Sequence, residues 1–78
     1  MIHRQRIALR TEIDGSPWLI TITRDFAKSA TLKRYISSDQ FFRFVADEEG
    51  AIRLLARRKI AKFGLAGGKV MLDKADLP

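Results

Sequence analysis

The sequence predicts an α+β domain in which a small antiparallel meander of about three strands packs against two helices. Two segments near the start alternate apolar and polar residues, which is the period of a half-buried strand. A later segment repeats apolar residues at helical spacing. The predicted order is β-β-β-α-α, with a short further strand as an option near the end, and residues 1–78 are treated as one domain.

The first alternating segment, residues 4–13, places apolar side chains on one side and charged side chains on the other. The apolar positions are Ile7, Leu9 and Ile13. The outward positions are Arg4, Arg6, Arg10 and Glu12. Residues 14–17, Asp-Gly-Ser-Pro, are turn formers and predict a four-residue loop. Residues 18–23 alternate again, so the two segments predict a hairpin.

Residues 24–36 fit two interpretations. A loop followed by a third strand at Thr31–Ile36 is favoured, because a two-stranded hairpin alone is marginal. Leu32, Tyr35 and Ile36 also fit helical spacing, so a short helix stays open as the alternative.

Two helices are predicted between Ser38 and Phe63. Ser38 and Asp39 suit the N-cap of the first helix, and Phe41, Phe44 and Val45 follow at helical spacing. The acidic run at residues 47–49 is unfavourable at a helix end and favourable at a helix start, so a break is predicted near residues 47–50.

The second helix has the clearest period in the chain. Its apolar face consists of Ile52, Leu55, Ala56, Lys59, Ile60 and Phe63, with the Lys59 ammonium reaching solvent. Gly64 suits the position just after the helix. Residues 65–68 predict a flexible loop, residues 69–72 a brief edge strand, and residues 73–78 a frayed end.

Composition limits the functions that can be expected. The chain has 78 residues, no cysteine and one histidine, so disulfides and thiolate zinc sites are excluded. The histidine, His3, stands near the start, where a Ser-His-Asp triad is not expected. We therefore expect a protein that is not an enzyme and carries no cofactor and no metal. The chain shows no long apolar run and no signal-peptide pattern, so a cytoplasmic location without membrane contact is expected.

Positive charge is the main functional indication. Lys and Arg number 15 against nine Asp and Glu, for a net charge of +6. A basic surface of this kind is typical of nucleic-acid binding through phosphates, and an exposed tyrosine on the arginine face of a sheet could stack on a base. Lys28, Lys33 and Arg34 flank the predicted third strand, beside Tyr35. The candidate contact residues are Arg53, Arg57, Arg58, Lys62, Arg4, Arg6, Arg10, Lys33 and Tyr35.

A protein partner is the alternative. The same basic surface could bind an acidic protein, as a small accessory or inhibitor protein of a phage or plasmid would, or the chain could form a homodimer. Phe41, Phe42 and Phe44 supply more aromatic surface than one helix seam needs, although packing beneath the sheet also accounts for them.

Overall fold

The computed structural model describes residues 5–78 as a three-stranded sheet with three helices. The elements in chain order are β1 (Arg6–Ile13), β2 (Ser16–Thr23), α1 (Arg24–Thr31), α2 (Ser38–Asp47), α3 (Glu49–Phe63) and β3 (Lys69–Leu72). A 3₁₀ turn at Lys74–Asp76 follows β3. The predicted α+β class is confirmed, but the structure has three helices in this range where two were predicted.

The predicted hairpin is confirmed, with a shorter turn. β1 and β2 pair antiparallel without interruption from Arg6↔Thr23 to Ile13↔Ser16. Only Asp14 and Gly15 lie between the strands, and both have positive φ, 52° and 81°. Such angles are required by the two-residue turn whose twist matches that of the strands. The four-residue loop was therefore wrong, because the Asp-Gly pair alone closes the turn.

The predicted third strand at residues 31–36 is wrong, because α1 extends to Thr31 and residues 32–36 form no strand. The Thr23 hydroxyl accepts a hydrogen bond from the Phe26 backbone N–H and caps the start of α1. The helix buries Phe26 and Ala27 and ends at Leu32, which has a left-handed φ of 56°. The helical alternative was closer in type, although α1 lies one to two turns earlier than the spacing of residues 32–36 indicated.

The third strand of the sheet is instead β3, the short edge strand that the sequence offered as an option. β3 pairs with β2 in parallel, from Leu19↔Lys69 to Ile22↔Leu72. The strand order is β1-β2-β3, so β2 is central. The antiparallel meander was wrong, because β3 pairs with β2 in parallel; the three helices between the two strands supply the crossover that a parallel pair requires.

The two later helices agree well with their predictions. α2 is capped one residue earlier than expected, by Ser37, whose side chain and that of Gln40 form a reciprocal capping box. The break is confirmed, because α2 ends at Asp47 and α3 begins at Glu49. Gly64 follows α3 with a φ of 60°, as predicted. Phe63 departs from the prediction, since 61% of it is exposed.

The core lies between the helices and one face of the sheet. Its buried residues are Ile7, Ile13, Ile20, Ile22, Phe26, Ala27, Ile36, Phe41, Val45, Ile52, Ala56, Val70 and Leu72. The strand members of this set alternate with exposed or half-buried residues that point the other way. The sheet therefore has one face covered by helices and one face open.

Residues 73–78 were predicted to fray, and the structure places a hydrogen-bonded turn after β3. Asp73 Oδ1 accepts hydrogen bonds from the Lys74 N–H and the Thr23 hydroxyl, each at 2.8 Å. Asp76 Oδ2 accepts from the Asp73 N–H at 2.8 Å and from Lys59 Nζ at 3.0 Å. Lys59 also donates to the Met71 carbonyl at 2.6 Å. The ammonium of Lys59 thus anchors this turn to α3, whereas it was predicted to reach solvent.

Candidate functional site

The four basic residues predicted on the outward side of α3 are all exposed. They are Arg53, Arg57, Arg58 and Lys62. Two of them face carboxylates of the protein itself: Arg53 Nη2 lies 3.8 Å from Glu49 Oε1, and Arg57 Nη2 lies 3.2 Å from Asp14 Oδ1. Exposed pairs of this kind contribute about 0–1 kcal/mol each, so a stronger ligand can displace them. These pairs reduce the positive charge of α3. Of the four basic residues, Arg58 and Lys62 have no ion pair within residues 5–78.

The strand arginines lie on the open face of the sheet, away from α3. Arg6 and Arg10 are exposed, and the register places Arg10, Leu19 and Lys69 in one row across the three strands. The helices pack on the other face, so the sheet separates these cations from those of α3. One ligand cannot contact both groups without wrapping around the molecule. Arg4, also predicted as a contact residue, lies outside the described residues.

Lys33 and Tyr35 do not lie on the sheet. Both belong to the connection between α1 and α2, and both are exposed, Tyr35 to 67%. The proposed tyrosine on the arginine face of a sheet is therefore wrong, because the segment that carries it is not a strand. Tyr35 instead lines a small groove together with Lys28, a residue of α1.

The structure brings Lys33 together with three further cations. Lys28, Lys33, Arg34 and Lys74 line one open groove of about 410 Å³, formed by the end of α1, the α1–α2 connection and the turn after β3. We call these four residues, with Tyr35, the loop cluster. Among residues 5–78, Asp25 is the one carboxylate lining this groove, and its Oδ1 lies 4.0 Å from Lys28 Nζ. Lys28 lines both this groove and the one beside Tyr35, so the two are contiguous.

Three members of the loop cluster were missed as contact residues. Lys28 and Arg34 were recognised as flanking charges, but only the α1–α2 connection shows that they share a groove with Lys33. Nothing in the sequence marked Lys74 as a contact residue, because it belongs to a segment that was predicted to fray. The aspartates at 73 and 76, three residues apart, were the available sign of a capped turn that would fix its backbone.

Arg24 holds the α1–α2 connection in place. Its side chain is buried, donates from Nη1 to the Ile36 carbonyl and from Nη2 to Ser38 Oγ, and lies 5.3 Å from the centre of the Phe41 ring. Ile36 is itself buried. The backbone on which Tyr35 stands is therefore fixed to the core at the next residue. The exposed cations project from an anchored segment.

The backbone of Lys74 is fixed from the other side of the groove. Thr23 caps α1 and also donates to Asp73, so one hydroxyl joins the start of α1 to the turn after β3. The hydrogen bond from Thr23, the bond from the Lys74 N–H, and the nearby Lys74 and Lys59 charges hold the pKa of Asp73 below its ordinary value, against a smaller opposing effect of desolvation. The lowered pKa keeps Asp73 ionised, with its hydrogen bonds, further into the acidic range than an ordinary aspartate.

A second, apolar groove runs along α3. Its two parts, of about 270 and 300 Å³, share Leu55 and Leu77. Phe44 lines one part, and Phe63, Arg58 and Lys62 line the other. The groove offers apolar surface, with Arg58 and Lys62 lining one part and Glu48 lining the other.

The three aromatic residues of α2 differ in position. Phe41 is fully buried, and Phe44 packs edge-on against Phe26 with the ring centres 6.1 Å apart. Phe42 is 44% exposed. Phe41 and Phe44 therefore serve the core, whereas the packing explanation placed all three residues beneath the sheet and Phe42 departs from it.

Comparison of the chain with protein-family models, with curated proteins and with solved structures found no match. Within residues 5–78, no helix combines the length and the apolar character needed to cross a membrane. The interpretation of function therefore depends on the geometry of the surface.

Proposed function

We propose that this protein is a non-catalytic module that binds nucleic acid through the loop cluster. The observation that supports the proposal is the convergence of four cations on one groove in which a single carboxylate takes part. The α3 cations are partly paired with carboxylates, and the strand arginines face the other side of the sheet. Among the predicted contact residues, Lys33 and Tyr35 thus gain the most support.

Charge decides between an anion and a cation as the ligand of this groove. The lining side chains carry a formal charge of +3, from four cations and Asp25. The groove also receives the end of α1, whose partial charge is about −0.5 elementary charge. That partial charge offsets only a small part of the positive charge. Successive phosphates of a nucleic acid present negative charge along a line, which suits a groove lined on several sides by cations.

Tyr35 favours a nucleic acid with unpaired bases over a continuous duplex. Two thirds of the residue is exposed, and it lies beside Lys28 and next to Arg34 in the chain. An aromatic ring beside cations can stack on a base whose phosphates the cations hold, and this requires that the base be free of its own stack. Single-stranded DNA or RNA is therefore the proposed ligand.

The proposal predicts a charge-dependent loss of binding at the loop cluster. In the double variant K33Q/R34Q, affinity for a single-stranded oligonucleotide at low salt should fall about tenfold, because two phosphate contacts are lost. The slope of log K against log salt should become shallower by about 1.4, at roughly 0.7 per contact on a single strand. Fluorescence anisotropy with a labelled oligonucleotide at several salt concentrations measures both quantities.

The matched control removes two charges elsewhere. The variant R58Q/K62Q changes the net charge equally but acts on α3, where both side chains are exposed. It should retain binding within about threefold, through the general charge alone. An equal loss in both variants would show that binding follows net charge. A larger loss in R58Q/K62Q would place the contact on α3, and no binding by the unmodified protein at low salt would reject nucleic acid as the ligand.

Tyr35 should matter for single strands more than for duplexes. The Y35A variant should lose about 1–3 kcal/mol of binding free energy to a single strand, the contribution of one stacked base, with the salt slope unchanged. Binding to a duplex of the same sequence should change little, since its bases are already stacked. The same anisotropy titration provides the test. Equal losses for single strand and duplex would contradict a stacking role.

An acidic protein remains the second candidate, supported by the apolar groove along α3 with Arg58 and Lys62 on its rim. Phe63 lies there with 61% of its surface exposed. Binding of such a partner would persist after nuclease treatment. It would be lost in the variant R58Q/K62Q and retained in the variant K33Q/R34Q. The same pair of variants therefore separates the two candidates.

A further inference from the structure

The outer edge of β1 is an unpaired strand edge. β1 is the first strand in the order β1-β2-β3, and within residues 5–78 only β2 pairs with it. It is eight residues long, and its pairing with β2 is continuous, without a bulge. β1 also contains no proline. Short length, prolines, bulges and charged side chains are the usual protections of an edge. Of these β1 has only the charges of Arg6, Arg10 and Glu12, whereas the four-residue β3 at the other edge is short.

The register shows which backbone groups point outward from this edge. The Arg24 N–H donates to the Gln5 carbonyl at 2.8 Å, so Gln5 directs its backbone toward β2. In an antiparallel ladder this direction alternates, so the odd-numbered residues of β1 also bond to β2. The N–H and C=O groups of Arg6, Ala8, Arg10 and Glu12 therefore point away from the sheet. They are spaced to pair with another strand.

We propose that β1 pairs antiparallel with β1 of a second copy, about a two-fold axis at Leu9, to form a six-stranded sheet. Residues that lie directly opposite each other in two paired strands must have their side chains on the same face of the sheet. The two-fold axis must therefore pass through a residue and cannot pass between two residues. An axis at Leu9 sets Arg6 opposite Glu12 twice and Ala8 opposite Arg10 twice. All four outward residues then form hydrogen-bonded pairs.

The other registers are less favourable. An axis at Ala8 sets Arg6 opposite Arg10, and an axis at Arg10 sets that arginine opposite itself, so each opposes like charges. An axis at Thr11 pairs Arg10 with Glu12 but uses only two of the four outward residues of each copy. The charges of β1 are thus complementary to a second β1 in one register of full overlap.

The inner face of the sheet agrees with this register. Leu9 is half-buried at the edge of the core, and the axis places it directly opposite Leu9 of the second copy. Residues at such a position, which do not exchange hydrogen bonds, bring their side chains closest together. The exposed part of Leu9 would be covered by its counterpart, which gives the second copy apolar contact as well as hydrogen bonds. This inference is independent of the loop cluster, which none of these residues joins.

Charge exchange tests the register as well as the dimer. Sedimentation equilibrium of the unmodified protein across a range of concentrations should show a monomer–dimer equilibrium. The variant E12R opposes arginine to Arg6 at two places in the dimer and should raise the dissociation constant about tenfold. The variant R6E should do the same with two carboxylates. The double variant R6E/E12R restores opposite charges and should restore the dimer.

The restoration is specific, because residues 6 and 12 lie about 20 Å apart in one strand and do not interact within a copy. Circular dichroism confirms that each variant is folded. A further variant, A8P, removes an outward N–H that β2 does not use and should be a monomer. A protein that stays monomeric at all concentrations would overturn the inference. So would a dimer whose dissociation constant is unchanged in E12R, or one that R6E/E12R fails to restore.

Discussion

Replacing Phe41 with alanine should remove about 3–5 kcal/mol from the free energy of unfolding, the usual cost of deleting a buried aromatic ring. Phe41 is fully buried at the centre of the core, and the Arg24 guanidinium lies 5.3 Å from its ring centre. The variant loses apolar burial and this cation–ring contact together. A domain of 78 residues has about 4–12 kcal/mol in total, so a large part of its stability would be lost.

Urea denaturation measures this loss, with Trp18 as the single tryptophan reporter and circular dichroism as a second probe. Phe42→Ala is the matched control, since it removes the same ring from the next residue of α2. Phe42 is 44% exposed, so its removal deletes less buried apolar area and leaves no enclosed cavity, and its loss should be clearly smaller. Equal losses at the two positions would contradict the orientation of α2 described above. The expected inequality follows from the helical face alone.

Local periodicity predicted those parts of the fold in which one face is buried over many residues. The hairpin alternates over two strands of eight residues, and α3 keeps its spacing over 15 residues. The break at residues 47–50 was also predictable, because the acidic residues there favour a helix start. Each of these signals is contained within one element, so no knowledge of the tertiary packing was needed.

The prediction of the third strand was wrong because the strand and helix alternatives differ in contacts between residues that are distant in the chain. Residues 24–36 contain too few apolar positions to distinguish a strand from a helix by period. The deciding signal was the N-cap at Thr23, which appeared in the sequence only as the end of a strand. With that segment helical, the third strand of the sheet comes from residues 69–72, which pair in parallel with β2 after a crossover through the three helices.

The surface was less predictable than the core. Exposure of the α3 cations followed from their position opposite the apolar face, and it is confirmed. Their pairing with Glu49 and Asp14 was not foreseen: the Glu49 pair follows from i,i+4 spacing, whereas the Asp14 pair depends on the hairpin turn meeting α3. The loop cluster likewise combines three segments, and its assembly depends on α1, which occupies residues predicted as a loop before the third strand.

Replacing Thr23 with valine should cost about 2–3 kcal/mol, more than a surface threonine of a strand normally contributes. The hydroxyl accepts from the Phe26 N–H at 3.1 Å and donates to Asp73 Oδ1 at 2.8 Å. Valine keeps the shape and the strand preference but makes neither bond. The control is Thr21→Val on the same face of β2, where no hydrogen bond of the hydroxyl is found within residues 5–78. It should change stability by less than about 0.5 kcal/mol.

The same substitution should also change the dependence of stability on pH. The Thr23 hydrogen bond is the largest of the effects that lower the pKa of Asp73 in the folded protein. A carboxyl group with a lowered folded pKa stabilises the protein above its ordinary pKa, near 3.8, and this stabilisation is lost as pH falls through the folded value. In Thr23→Val the folded pKa should rise toward the ordinary value, so the loss of stability below about pH 4 should be shallower. Urea denaturation at acidic pH measures the slope, and a ¹³C NMR titration of the Asp73 carboxyl measures the pKa. An unchanged Asp73 pKa in the variant would show that the Lys74 N–H and the neighbouring ammonium groups hold the carboxylate without Thr23.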